Sequence, residues 1–298
     1  MDVRHLTLLR ELRERGSVAA VAAATFRTPS AVSQQLRTAQ RDAGIALVEP
    51  DGRGVRLTEA GQLLAHGAME VETALARVQA RLEEFSGEPS GIVRVASLPS
   101  AAEYLVPPVL VALLHTRIEL KCTDVDVAEP DFSRLANDYD LVIGHSLIGE
   151  IPSGAEGLNR TVLGREPLDI ALSADHVLAG KESVAPEDVI GEPWISVPPG
   201  YPFEAVVADI EARTGQRARV VQHIRDNRVV EALVAAGLGI ALLPRFTTRE
   251  RPDLVLRPLT GVQAARWVVG LSRPDRAERA AVRRVVAELL TVGEGKIG

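Results

Sequence analysis

The sequence predicts an α/β protein: an N-terminal winged helix-turn-helix, a long linker helix, and an α/β body long enough for two lobes. Three observations carry this reading. Residues 1–60 hold three short helical segments and then a hairpin. An apolar 4-3 repeat runs from Leu64 to Phe85. From residue 91 onward strand and helix patterns alternate, which implies a parallel sheet.

The first helix has Asp2 as its cap, Leu6, Leu9 and Leu12 on one face, and Gly16 at its end. Ser17 can cap a second helix, VAAVAAATF. After a short turn with Arg27, a third runs from Thr28 to Gly44, TPSAVSQQLRTAQRDAG. Thr28 suits the cap, Pro29 the first helical position, and Gly44 the left-handed residue past the end. Val32, Leu36, Ala39 and Ala43 form the apolar face. Ser30, Gln34, Arg37 and Arg41 lie opposite, with Ser33 at the edge. Hydroxyl, amide and guanidinium groups bond phosphates and base edges, although a polar outer face also suits any solvated helix. The order helix, helix, short turn, helix is that of a helix-turn-helix, whose last helix enters the major groove. The DNA-binding candidates on this helix are therefore Thr28, Pro29, Ser30, Ser33, Gln34, Arg37 and Arg41.

Two short apolar runs flank Pro50-Asp51-Gly52-Arg53-Gly54, a hairpin with a basic tip. After a helix-turn-helix this is a wing, and Arg53 at its tip is a further DNA-binding candidate, or else a solvated turn residue. Thr58 caps the long helix. Its Leu64, Ala68, Val71, Leu75, Val78, Leu82 and Phe85 form an a/d seam over three heptads. So narrow a stripe calls for a helical partner. Leu64, Val71, Leu75, Val78, Leu82 and Phe85 are the dimerisation candidates. Ser86-Gly87-Glu88-Pro89-Ser90-Gly91 reads as a hinge.

In the body, IVRVAS, IELKCTDVDV, DLVIGHS, PLDIALS, PWISVP, ARVVQHI, IALLP and ARWVVGLS read as strands. AAEYLVPPVLVALLHT reads as a helix broken at Pro107-Pro108, and FSRLANDY, FEAVVADIEARTG, NRVVEALVAAGLG and RAERAAVRRVVAELLTVG as helices.

Composition narrows the function. Hydrophobic residues are 46% and charged residues 25%, ordinary for a soluble globular chain of 298 residues. Aromatics are 3%, so the cores must be aliphatic. Net charge is −6, yet residues 1–60 hold nine Arg against seven acidic residues, leaving −8 on the other 238. A weakly basic N-terminus on an acidic body fits a DNA-reading module attached to something else. Cys122 is the only cysteine, so neither a disulfide nor a cysteine metal cluster is expected. Charges interrupt the N-terminus, and no run approaches the ~18 apolar residues of a membrane helix, which points to the cytoplasm and away from membranes. An enzyme built on the body is the alternative. GxGxxG, GxxxxGK[ST], GxSxG and HExxH are all missing, the six His are scattered, and Cys122 has no evident activating neighbour, so no catalytic residue, cofactor or metal is expected.

Strand ends and helix starts nominate the ligand site. They give Ser97, Pro99 and Ser100 after the first strand and Val125 with Asp126 after the second. Pro198, Pro202 and Phe203 lie in the Ser196–Phe203 stretch, and Asp226 with Asn227 after His223. The Ser and Asn residues serve equally as helix caps. His145, ending DLVIGHS, reads as structural. Helix N-termini favour an anion, whereas Glu103, Asp126 and Asp226 favour a cation, so the ligand's charge stays open.

SAVSQQLR, GRGVRLTEAG, DLVIGHS, the Leu168–Leu178 stretch with Asp175-His176, and LVAAGLGIALLPRF occur in the order found in LysR-type transcriptional regulators, which this chain resembles over nearly its whole length. It departs from that pattern at Leu47-Val48-Glu49-Pro50, where a Leu-Phe pair and a basic residue are usual, and at Gln34, where Arg is common. The resemblance implies a ligand-responsive regulator that binds double-stranded operator DNA as a homodimer or homotetramer. It implies residues 1–60 as the DNA-binding domain and 61–90 as linker helix and hinge. Residues 91–298 become a periplasmic-binding-protein-like effector domain, lobe I being 91–161 with 268–298 and lobe II 162–267. A small-molecule effector would sit between the lobes, where Ser100, Pro202, Phe203 and Asn227 match cleft-lining positions of the family.

Overall fold

The computed structural model describes residues 2–52 and 54–294. The chain divides into two compact units, Met1–Pro89 with Arg273–Arg283, and Ser90–Ser272 with Arg284–Gly298.

In the first unit, α1 (Val3–Arg15), α2 (Val18–Ala24) and α3 (Pro29–Ala43) precede the hairpin β1 (Val48–Asp51) and β2 (Gly54–Leu57), and α4 (Glu59–Ser86) follows. The caps are those written in the sequence. Asp2, Ser17, Thr28 and Thr58 each accept a backbone N–H of the helix they start, and Gly16 and Gly44 close α1 and α3 in left-handed conformation. Leu8, Leu9, Leu12, Val21, Val32, Leu36, Ala39, Leu47 and Ala65 form one aliphatic core. The wing is tied to it closely. Gln40 Oε1 accepts the N–H of Leu47 and of Val48, and Gly61 of α4 lies against the carbonyl of Leu47, where a Cβ would come within 2.1 Å of the oxygen.

The tail segment joins this unit through buried charge. Arg10, 2% exposed, donates to Glu72, Glu14 and Glu11 at 2.8, 2.7 and 2.9 Å. Arg273 lies 3.4 Å from Glu72 and 2.8 Å from Asp275. Arg273–Arg283, with α10 (Pro274–Ala277) and the start of α11 (Ala280–Glu294), groups with the first unit although it lies within the expected effector domain of 91–298. Polar residues in a short linker gave no apolar pattern to reveal this.

The second unit is built on a seven-stranded sheet. In chain order its strands are β3 (Ser90–Ser97), β4 (Arg117–Asp124), β5 (Leu141–Ser146), β6 (Asn159–Ser173), β9 (Ala241–Pro244), β10 (Leu254–Pro258) and β11 (Ala265–Ser272). The path is β10-β6-β11-β5-β3-β4, with β9 also on β6. The helices are α5 (Pro99–Leu113), α6 (Phe132–Leu135), α7 (Pro186–Val189), α8 (Phe203–Thr214) and α9 (Asn227–Ala235), while β7 (Pro193–Ser196) and β8 (Arg219–His223) make a separate parallel pair.

The expected parallel sheet is a mixed one. β3 runs parallel to β4 and β5, but β11 is antiparallel to β5 and β6, as are β9 and β10 to β6. β6 is one 15-residue strand. Up to Pro167 it pairs with β11, and from Leu168 with β9 and β10. β6 thus changes partners between Pro167 and Leu168, inside a strand where no turn residue marks the change, a few residues beyond the lobe bound expected at 161/162. The expected break at Pro107-Pro108 is absent. α5 continues through both prolines, which face solvent, where water can satisfy the freed carbonyls. β10 was not expected at all. One core cluster gathers Leu168, Ile170, Leu172, Trp194, Phe203, Ile210 and Ile240 in the second half.

Candidate functional site

The outer face of α3 is displayed as its spacing requires. Val32, Leu36 and Ala39 are buried, and Ser30, Gln34, Arg37 and Arg41 are exposed, with Ser33 half-buried. Thr28 and Pro29 are exposed at the helix start. Thr28 Oγ1 accepts the N–H of Ala31 and lies 3.0 Å from Ser30 Oγ, so its first role is the cap. Arg37 Nη2 donates to Gln34 Oε1 at 2.6 Å, holding the two side chains as one polar unit on the exposed surface. Gln34 keeps its amide N–H₂ for an external acceptor, and Arg37 keeps guanidinium donors. Arg53 lies outside the described residues.

The sequence reading missed Phe26. It sits in the turn before α3, 98% exposed, at φ 53°. A bulky side chain in the left-handed region is strained. Only the turn position, one residue before Arg27, hinted at it.

On α4 the seam separates into two parts. Leu64 is half-buried against the core of its own unit and Ala68 is buried, so Leu64 is corrected from the free stripe to the module core. Val71, Leu75, Val78, Leu82 and Phe85 are exposed at 38, 46, 62, 64 and 91%. The buried residues of α4 are Gly61, Ala65, Ala68 and Ala80, so the seam's own Ala68 is buried with residues beside the stripe.

In the second unit a cavity of about 580 Å³ opens where β3, β4 and β5 end and α5, α8 and α9 begin. Pro99, Ser100, Asp126, Pro198, Pro202, Phe203, Asp226 and Asn227 all line it. Ser97 and Val125 do not. The pleat turns Ser97 into the core, where it is fully buried and its carbonyl accepts the N–H of Val125, which is turned from the cavity.

The cavity floor is made of residues the sequence did not single out. Arg266 of β11 is 1% exposed and Glu166 of β6 is fully buried. Arg266 Nε and Nη2 reach Glu166 Oε2 at 2.8 and 2.6 Å, and Glu166 Oε1 accepts the N–H of Phe246 and Thr247, both at 2.8 Å. Arg266 Nη1 donates to Ser100 Oγ and Nη2 to Thr247 Oγ1, each at 3.1 Å. A hundred residues separate Glu166 from Arg266, and neither stands in a motif. His145, read as structural, is packed among aromatic rings and also forms part of the cavity wall. Its ring meets Phe132 and Phe203 at centroid distances of 5.8 and 5.9 Å, and its buried Nδ1 has no hydrogen-bond partner among the described residues. Burial, aided by the Arg266 charge, lowers its pKa to about 3, so it is a neutral imidazole.

Acidic and basic groups ring the opening. Glu103 pairs with Arg228 and Arg249, Asp126 lies 3.4 Å from Arg225, and Asp226 accepts the N–H of Arg228 as the cap of α9. Hydrogen bonds from Arg228 and Arg249 hold the Glu103 carboxyl below its usual range, and burial pushes Asp126 up. Among the described residues no group of His, Cys, Asp and Glu is placed to hold a metal ion, and no helix is long and apolar enough to cross a membrane.

A module that displays a polar reading helix, and a separate α/β unit with a ligand-sized cavity, define a DNA-binding regulator with a sensory body. Residues 3–62 match the family model of bacterial regulatory helix-turn-helix proteins of the lysR family, and residues 86–294 that of the LysR substrate binding domain. The chain belongs to the LysR family and is a ligand-responsive transcriptional regulator, not an enzyme. It is 25% identical to the transcriptional dual regulator GltC of Bacillus subtilis, over 94% of this chain and 93% of that one. It is 26% identical to the regulator MetR of Salmonella typhimurium, over 88% and 81%. A full-length OxyR variant from Pseudomonas aeruginosa has the same fold, with a TM-score of 0.65 at 17% identity, covering 97% of this chain and 98% of that one. Regulators of this family bind operator DNA and small-molecule effectors and act as oligomers.

Proposed function

We propose that the effector of this regulator binds in the cavity between the two halves of the Ser90–Ser272 unit, and that α3 reads the operator through Gln34 and Arg37. The cavity carries the first part. At about 580 Å³, walled by Pro99, Ser100, Pro202, Phe203 and Asn227, it has the size and the mixed apolar and polar lining of a small-molecule site. The paired, outward Gln34 and Arg37 support the second, since amide and guanidinium groups make bidentate contacts with base edges in the major groove. Ser30, Ser33 and Arg41 then hold phosphates. The exposed stripe from Val71 to Phe85 pairs with the same stripe of a second copy, giving a two-fold dimer for two half-sites. The protein works in the cytoplasm, where its DNA is.

A thermal-shift screen of the full-length protein against fractionated metabolites tests the cavity. A ligand at 100 times its Kd stabilises by about 2.7 kcal/mol. A hit whose shift disappears in Ser100→Trp supports the site, and a hit unaffected by that change places binding elsewhere.

A further inference from the structure

We infer that Arg273–Arg283 is a strap that fixes the outer half of α4 on the reading module, and that the direction so fixed sets the spacing at which two copies meet two half-sites. The second part rests on the reading that the exposed stripe of α4 pairs copies. α4 outruns its support. It is 28 residues long, and the module core reaches it only through Ala60, Leu64 and Ala65. Glu72 then meets α1 through Arg10. From Ala74 to Ser86 every residue is exposed except Ala76, half-buried, and Ala80, buried. A helix with no tertiary face on its outer turns frays. The strap supplies that face. α10 packs on α4, Arg77 Nη2 donates to Glu278 Oε1 at 2.7 Å, and Glu84 accepts from Arg283. Residues 72, 76, 80 and 84 recur every four positions, so they form one line along the helix. At 3.6 residues per turn this line lies on the side away from Val71, Leu75, Val78, Leu82 and Phe85. The strap therefore holds α4 and leaves the stripe open.

The first residue of the strap fills a charge vacancy. Glu11, Glu14 and Glu72 all face one buried guanidinium, that of Arg10, and Arg15 reaches Glu11 from the rim. Three carboxylates around one buried cation call for a second. Arg273, 3% exposed, is that cation. It lies 3.4 Å from Glu72 and 4.0 Å from both Glu11 and Glu14, and Asp275 accepts from its Nε and Nη2 at 2.9 and 2.8 Å. Withdrawing it would leave the carboxylates undercompensated, and a buried pair is far costlier to break than an exposed one. The strap is thus pinned at Arg273 and guided along α4 by the outer pairs of Arg77 and Glu84. The chain enters the second unit through Gly87-Glu88-Pro89, but leaves it from Ser272, the end of β11, into Arg273 with no residue between. The strap has none of the slack that turn residues give the hinge.

Hydrogen exchange of the full-length protein, read by mass spectrometry, reports the strap through the amides of residues 74–86. Arg77→Ala and Glu278→Ala are each expected to speed exchange there about threefold, and the double variant no more than either alone, because both remove the same contact. Arg273→Met keeps the stem without the charge and is expected to speed it by about tenfold or more, with circular dichroism showing the module still helical. The same proteins are then titrated against two palindromes. Their half-site is selected from random DNA by the parent, and their spacings differ by one base pair. The parent is expected to prefer one spacing by about tenfold, and Arg273→Met to bind both within about threefold. Unchanged exchange in Arg273→Met and in the double variant would overturn the strap. Faster exchange with the spacing preference intact would overturn its control of spacing. That result leaves the pairing of copies standing if Leu75→Asp still gives a smaller assembly, and removes it as well if Leu75→Asp has the mass of the parent.

Discussion

The carbonyl of Leu47 leaves Gly61 no room for a side chain. A Cβ there would sit 2.1 Å from the oxygen of Leu47, so Gly61→Ala must push α4 off the wing. We expect a loss of roughly 2–3 kcal/mol, as for overpacking against backbone, read by urea unfolding of the full chain. Phe26 runs the other way. Its left-handed φ of 53° and 98% exposure give stability away, and Phe26→Gly should return about 1 kcal/mol in the same measurement. His145 makes stability depend on pH. Its folded pKa, lowered to about 3 by burial and by Arg266, lies below the unfolded 6.5. Unfolding therefore takes up a proton between those values, and stability falls as pH drops through the window, by about 1.4 kcal/mol per unit. Urea unfolding at pH 7 and pH 5 should show His145→Gln losing about 2 kcal/mol less than the parent. On α3, Gln34→Ala should relax preference at one base pair by roughly 1–3 kcal/mol. Arg37→Ala should weaken every sequence alike and lower the salt slope by about one unit if it meets phosphate. Anisotropy with labelled operator variants separates the two, and unchanged affinity in both would remove α3 as the reader.

At the scale of elements, local chemistry was legible where it is local. α1 to α4 begin and end at residues whose side chains or glycines make the caps, and the eight cleft-lining positions of ten follow from where strands end and helices start. Ser97 and Val125 failed because a strand end names a neighbourhood while the pleat decides which side chain faces it. The floor was illegible for a different reason: Glu166, Thr247 and Arg266 meet only through the strand order β6-β11 and the turn after β9, and nothing in a sequence records pairing across a hundred residues. The α4 stripe was legible from its 4-3 spacing, but the number of its residues left over was not, because Leu64 is claimed by the module's own core. Leu75 is central among those exposed. Leu75→Asp would place an unpaired charge in the proposed seam, so sedimentation of the full-length protein should show a smaller assembly, with operator binding weakened far beyond one lost contact. A parent of the same mass as Leu75→Asp would mean that the stripe does not assemble copies.

For the whole molecule, the charge asymmetry read from the sequence coincides with a division of labour between a slightly basic reading module and an acidic sensory body. On the proposed function, filling the cavity controls what the reading module does. Ser100→Trp in full-length protein, carried on an operator-linked reporter, tests it most directly, because Ser100 lines the cavity and lies in a different unit from α3. A folded variant is expected whose operator affinity by anisotropy matches the parent and whose reporter no longer changes with effector. A folded Ser100→Trp that keeps the full effector response would contradict it.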